Sequence, residues 1–212
     1  MSSRRILVLG ATGGTGRHVV TQAAAAGFDV TVLVRSPDTL PQTERPLRVV
    51  TGDLRDDSSS IRDAFADQHA VISALGLGPS FKSGRFITQA VPVIIAAMRQ
   101  HGVERLVFTS AFGVGATRPQ VPFLPRLFAK TLLRDVYADK AAGEQVIKDS
   151  ELLWTLVYPA GLTNGPPTPT VRVGEHLPLS GFPRVSRANV ARVLLQQLDD
   201  ARFVRKGILV AE

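Results

Sequence analysis

Ile6-Leu7-Val8-Leu9-Gly10-Ala11-Thr12-Gly13-Gly14-Thr15-Gly16-Arg17-His18-Val19-Val20 reads as a short buried strand, a glycine-rich turn and the start of a helix in one uninterrupted run. Glycines let the backbone come close to a pyrophosphate with no Cβ in the way, and the free N–H groups of a helix start attract the anion. The spacing is GxxGxxG, not the GxGxxG of common dehydrogenases. Its place between an N-terminal apolar strand and a helix predicts a dinucleotide site. Gly10, Thr12, Gly13, Gly14, Thr15 and Gly16 are the expected contacts.

Working outward, strands and helices alternate. Gly27 closes a first helix over 14–26, and Val30–Val34, Leu47–Val50 and Ala70–Ser73 read as further strands, with a short helix near 59–66 between the last two. Ile87, Val91, Ile94, Ile95 and Met98 recur at helical spacing and predict a helix ending near His101 and Gly102. Leu106–Thr109 and Leu153–Val157 are strands, with helical stretches near 127–134 and 137–149 after a proline-marked segment. Ser186 suits an N-cap for a helix carrying Val190, Val193, Leu194 and Leu198, and Ile208–Val210 reads as a final strand. This βαβα order predicts an α/β protein with a Rossmann-type, doubly wound parallel sheet.

At 212 residues and 44% hydrophobic, the chain is expected to form one NAD(P)-binding domain over 1–212, with a small substrate-facing region near its C-terminus. Cysteine is absent, which excludes disulfides, thiolate metal sites and cysteine nucleophiles. The four histidines, His18, His69, His101 and His176, have no metal-ligand spacing and read as structural. No apolar run reaches the length of a membrane span, and the stretch after Arg5 is too short for a signal sequence, so a cytoplasmic location is expected. The formal net charge of +7 is spread singly along the chain, without a basic run or interleaved aromatics. That distribution argues against nucleic acid and for capture of a polyanionic cofactor or an acidic small-molecule substrate.

In an open α/β sheet the ligand lies beyond the carboxyl ends of the strands, and several informative residues fall there. Arg35 and Ser36 follow the second strand, where an NAD-binding chain carries an acid for the ribose 2′-hydroxyl. An arginine there neutralises a 2′-phosphate instead, so NADP(H) is expected over NAD(H). Asp53 and Leu54 follow the third strand, where a carboxylate can meet the adenine amino group. Asp53 can equally be an ordinary turn aspartate. Ala74, Leu75 and Gly76 follow the fourth strand, small enough for backbone to pass the ribose and pyrophosphate. Thr109 and Ser110 follow the fifth, near the expected nicotinamide, where Ser110 is a candidate catalytic residue that would orient the acceptor.

Gly10–Gly16, Arg35, Gly52-Asp53-Leu54, the Ser110 segment and Lys140 together resemble an atypical short-chain dehydrogenase/reductase, in particular the small NAD(P)H-binding oxidoreductases related to biliverdin reductase B, which also acts as a flavin reductase. The resemblance runs from the first strand to Ser186-Arg187-Ala188-Asn189. It implies NADP(H) at the glycine turn and hydride transfer to a planar or carbonyl acceptor such as a flavin or quinone. Lys140 would hold the ribose, and Tyr158-Pro159-Ala160-Gly161 would lay backbone along the nicotinamide, drawing Tyr158, Pro159 and Gly161 into the cofactor site.

Typical members of the wider superfamily pair a tyrosine with a lysine four residues later. Here Tyr137 and Lys140 are three apart, which turns the tyrosine by about 100° around the helix. Two readings stay open: Tyr137 reaches the site through an irregular helix start, or Lys140 serves the cofactor alone and water supplies the proton. Tyr158 is a second candidate for stacking or proton donation. Loops 77–85, 113–125 and 163–170 are expected to face the substrate, with Phe81, Phe112 and Phe123 as an apolar platform and Arg85 or Arg118 for an acidic group. The alternative function is a non-enzymatic NADP(H) sensor that binds a protein partner, with 121–133 as its surface. Oligomeric state, monomer or homodimer, is left open by the sequence.

Overall fold

The computed structural model describes residues 4–56, 59–76, 84–121 and 134–212. The apolar runs become parallel strands. These are β1 (Arg5–Leu9), β2 (Asp29–Val34), β3 (Arg48–Thr51), β4 (Ala70–Ser73), β5 (Arg105–Thr109) and β6 (Leu153–Pro159). With β8 (Arg172–Gly174) and β10 (Lys206–Ala211) they build one eight-stranded sheet in the order β3-β2-β1-β4-β5-β6-β10-β8. All neighbours are parallel except β8, which runs antiparallel to β10 on the outer edge. Strand order reverses between β1 and β4, and that switch point opens a crevice at their carboxyl ends. The expected doubly wound Rossmann-type sheet is present.

Successive residues of β1 face opposite layers. Leu7 and Leu9 enter a core with Ile87, Val91, Ile94 and Met98, whereas Ile6 and Val8 enter one with Val19, Val20, Val190 and Leu194. The helices of the two covering layers are α1 (Gly14–Ala25), the short α2 (Ser59–Asp63), α3 (Phe86–Gln100), α4 (Arg134–Lys148) and α5 (Arg187–Gln196). α1 packs on α5 over one face, and α3 on α4 over the other. A sheet covered on both faces explains strands that read as continuous apolar runs. Each buried Val, Leu or Ile side chain contributes about 1.5–3 kcal/mol relative to leaving it exposed.

The differences from the sequence reading are local. The second helix ends at Asp63, because a tight turn with Asp67 at φ 61° brings the chain back to β4. β7 (Gly161–Thr163) and β9 (Arg184–Ser186) form a small parallel pair that the sequence did not announce. A six-residue 3-10 helix, Gly115–Gln120, occupies part of the loop expected over 113–125. The helical stretch expected near 127–134 falls almost wholly outside the described residues, as do Phe81, Phe123 and most of loop 77–85.

Candidate cofactor and active site

The glycine turn is built by contacts that leave no room for side chains. Gly10 ends β1 at φ 77°, and a Cβ there would lie 2.7 Å from the Ala74 carbonyl oxygen after β4. A Cβ on Gly16 would run into the Gly10 carbonyl oxygen itself, so α1 starts against the strand that feeds it. The Gly13 amide donates to that carbonyl at 3.0 Å, and Gly13 then caps the helix from an extended conformation without a side chain. The first turn of α1 carries no acidic residue, so no side chain of its own offsets its N–H groups and positive dipole end. Thr12 and Gly14 border this mouth, while Thr15 is buried within the turn.

One residue that sequence reasoning did not single out sits over the mouth. Arg187, the first residue of α5, lays its side chain on Gly14: a Cβ on that glycine would meet Arg187 Nε at 2.7 Å. Its guanidinium donates to Asn164 Oδ1 at 2.7 Å, a neutral partner, and no carboxylate pairs with it among the described residues. A cation held at the positive end of a helix is electrostatically unfavourable until an anion arrives. The position is fixed by Ser186, whose Oγ caps α5 at the Asn189 amide, and by Glu212, which accepts from the Ser186 amide at 3.0 Å and from Asn189 Nδ2 at 2.6 Å.

Beyond β2, Arg35 is exposed and close enough to Asp53 to help hold its carboxyl low. Arg17 reaches the same loop from α1, donating to the Thr39 carbonyl at 2.9 Å, so two arginines border one corner of the crevice. Ser36 donates to Asp38 Oδ2 at 2.6 Å. Asp53 is taken up by its neighbour Arg55, which donates to Oδ1 from its backbone N–H and Nε and to Oδ2 from Nη2. Those hydrogen bonds hold the carboxyl at about 2. The turn-aspartate reading therefore describes Asp53 better than an adenine contact. Leu54 is buried in the core, Ala74 and Leu75 line the strand end, and Gly76 is exposed with no described residue within 4 Å of where a Cβ would stand.

At the other end of the crevice a buried polar network gathers under β5. Lys140, 7% exposed, donates from Nζ to the Thr109 carbonyl at 3.3 Å and the Leu75 carbonyl at 3.5 Å, bridging the ends of β5 and β4. Burial pulls its pKa down to about 8, against the opposing pull of Glu144 and Asp139. Ser110 Oγ donates to Glu144 Oε1 at 2.5 Å, and Tyr158 OH donates to Glu144 Oε2 at 2.9 Å. Lys148 Nζ stands 3.6 Å from Oε2. Thr109 Oγ1, buried at the same strand end, has no hydrogen-bond partner among the described residues.

The two tyrosines have other duties than the sequence suggested. Tyr137 packs its ring on Gly113 and donates its hydroxyl to the Phe112 carbonyl at 3.1 Å, with neither Lys140 nor Ser110 as its partner. Burial raises its pKa. Tyr158 is 1% exposed; burial, then the Glu144 carboxylate, raises its phenol further. Its side chain is turned inward because Gly207 on β10 and Glu144 on α4 leave it a slot, so a stacking role from that ring is not what the geometry offers. Pro159 ends β6, the Ala160 amide donates to the Val210 carbonyl, and Gly161 donates its amide to the Pro183 carbonyl at the crevice edge. Asp139, beside Lys140, takes the Ile87 and Thr88 amides and so caps α3. Arg118 and Gly76 are exposed at the rim, and Phe112 packs against the core. Among the described residues no group of His, Asp and Glu could hold a metal ion.

Among the described residues the crevice brings together a helix start with no acid in its first turn, a glycine turn and, at the far end, a buried hydroxyl without a partner. A family model described as NAD(P)H-binding matches residues 10–201, and the chain belongs to that family. It is 32% identical to an uncharacterized chloroplastic protein of Arabidopsis thaliana over 187 residues, covering 81% of this chain but 64% of that one. It is 25% identical to phenylcoumaran benzylic ether reductase 1 of the same plant, over 99% of this chain and 69% of the relative. Among solved structures, a short-chain dehydrogenase/reductase from Veillonella parvula in complex with NADP shares the fold. There the TM-score is 0.80 at 19% identity, with 100% of this chain and 95% of the other covered.

Proposed function

We propose that this protein is an NADP(H)-dependent oxidoreductase that passes hydride to a small planar or carbonyl acceptor, such as a flavin or quinone, and acts as one domain over residues 1–212. The observation that carries the reading is the α1 mouth, where an acid-free helix start meets Arg187 at one side and Arg17 and Arg35 farther along. Three cations around one crevice suit a ligand with a pyrophosphate and a third phosphate.

In this reading the turn from Gly10 to Gly16 and Arg187 hold the pyrophosphate, and Arg35 with Arg17 takes the 2′-phosphate. Ser36 and the Ala74-Leu75-Gly76 segment flank the adenosine side. Lys140 has two donors on backbone carbonyls and one left for a ribose hydroxyl. Thr109, Ser110 and the backbone from Pro159 to Gly161 border the nicotinamide end, while Leu54 and Asp53 shape the turn beside the adenosine. The cofactor supplies the hydride, with both electrons, to the acceptor. Tyr137 is tied to a loop carbonyl, so the balancing proton comes from water, which a flavin or quinone can take directly. A cytoplasmic location is part of the proposal, although the Arabidopsis relative is chloroplastic. None of the described helices is long and apolar enough to cross a membrane.

The test is NADPH oxidation by the purified protein with FMN and with menadione. Turnover that falls in Ser110→Ala and Lys140→Met supports the reading. A second reading, a redox sensor that binds a protein partner, is favoured by the engaged Tyr137 hydroxyl. Tight NADPH binding with no turnover of either acceptor would turn the account to it.

A further inference from the structure

Glu144 is the most deeply buried charged side chain beside the crevice, at 1% exposure, and the proposed hydride transfer makes no use of it. It lies one turn beyond Lys140 on α4, and each of its oxygens takes one hydroxyl proton. Ser110, 34 positions away at the end of β5, gives its proton to Oε1; Tyr158, at the end of β6, gives its proton to Oε2. The loop after β5 closes over the carboxylate. Gly115, at φ 51°, passes so near that a Cβ on it would strike Oε2. Glu144 is therefore sealed from any ligand and acts only through what it holds.

Two lysine side chains and two hydroxyls surround it. Lys148 Nζ lies 3.6 Å from Oε2, and the buried Lys140 ammonium on the same helix interacts with it. The Tyr158 hydroxyl faces it from β6 and Ser110 from β5, both as donors. A serine hydroxyl has one proton and two lone pairs. With that proton held by the Glu144 side chain, Ser110 has only lone pairs left for the crevice. It cannot donate to a carbonyl oxygen, although it can accept from an N–H.

We infer that Glu144 is a positioning residue that fixes Ser110 as a hydrogen-bond acceptor, so that the site selects acceptors bearing a ring N–H over acceptors whose only polar atoms are carbonyl oxygens. This selection rests on the oxidoreductase reading; the wiring beneath it does not. The two are separated by a measurement on the protein alone. Infrared difference spectroscopy of Glu144→Gln against the parent protein at neutral pH should show the loss of one ionised carboxylate band. Loss of a protonated carboxylic-acid band would overturn the inference, because a protonated Glu144 can donate to Ser110 and free its proton. If Glu144→Gln does not fold, Ser110→Ala reads the same contact. There one carboxylate band must shift as it loses a donor, and an unshifted spectrum overturns the inference.

Selection is then read with two probe acceptors, FMN, which carries a ring N–H, and menadione, which carries only carbonyls. The glutamine amide can donate to Ser110 and release its proton to the crevice. In Glu144→Gln the ratio of kcat/KM for FMN to that for menadione should fall about tenfold, the scale of one redirected hydrogen bond. A ratio that stays at the parent value, with both acceptors still turned over, overturns the selection. An ionised Glu144 in a protein that turns over neither acceptor leaves the wiring standing and counts against the oxidoreductase reading alone.

Discussion

The two ends of the crevice are made in opposite ways. At the glycine turn, the proposed pyrophosphate end, the geometry belongs to the backbone: Gly10 and Gly16 bring strand, turn and helix so close that no Cβ fits. At the proposed nicotinamide end it belongs to side chains brought from α4 and the ends of β5 and β6 into one buried network around Glu144. The first end is rigid and local in sequence. The second depends on long-range burial and on where three protons point. Damage to the first should therefore appear as lost folding and binding together, and damage to the second as altered chemistry and pH response.

Gly16→Ala should have the largest effect. Its new methyl group meets the Gly10 carbonyl, which the strand holds, so the start of α1 must move at a cost of about 3 kcal/mol. Urea unfolding measures that cost, and NADPH binding should vanish with it. A variant of parental stability would break the claim that the turn is close-packed.

Lys140 probes the other end through pH. Its pKa is lowered to about 8 by burial, so its charge is nearly full at neutrality and lost above that value. Only the charged form has a third N–H to give. NADPH affinity should fall about tenfold between about pH 7 and about pH 9, one proton being lost in the free protein. Lys140→Met should bind more weakly at neutrality and flatten the profile. A parent profile already flat over that range would place the lysine outside the binding equilibrium.

Arg187→Ala should weaken NADPH and NADH alike by about tenfold, the size of a charge-assisted hydrogen bond, because both carry the same pyrophosphate. Calorimetry with the two cofactors reads this directly, and a loss confined to NADPH would move Arg187 to the 2′-phosphate. The smallest structural effect belongs to Gly76→Ala. With open space at its Cβ position, stability should stay within about 0.5 kcal/mol of the parent. Its NADPH affinity should still drop, since that space is where the ligand is expected to pass.

The same contrast explains what the sequence could reveal. Strand, glycine turn and helix are neighbours in the chain, so Ile6 to Val20 announces its own geometry. β4 over Ala70–Ser73 and the Ser186 cap of α5 are equally local and came out as expected. β7, β8 and β9 are three residues each, in a stretch rich in proline and threonine, and too short to show a period. Glu144 went unnoticed because on a helix it is one more acid, and its partners lie 34 and 14 positions away. Arg187 looked like a helix-start arginine until the fold brought it onto Gly14. The KxxxE spacing of Lys140 and Glu144 was the available signal, since residues four apart share a helix face. Tyr158 was legible as a strand end but not in its direction, which the slot beside Gly207 decides.

The most direct test is calorimetric titration of the parent protein and of Arg35→Ala with NADPH and NADH. The parent should bind NADPH about thirtyfold more tightly than NADH, and Arg35→Ala should lose that preference while keeping its NADH affinity, as for one charge-assisted phosphate contact. Equal binding of the two cofactors by the parent, or a preference untouched in Arg35→Ala, would contradict the 2′-phosphate assignment. No binding of either would contradict the reading of the glycine turn itself.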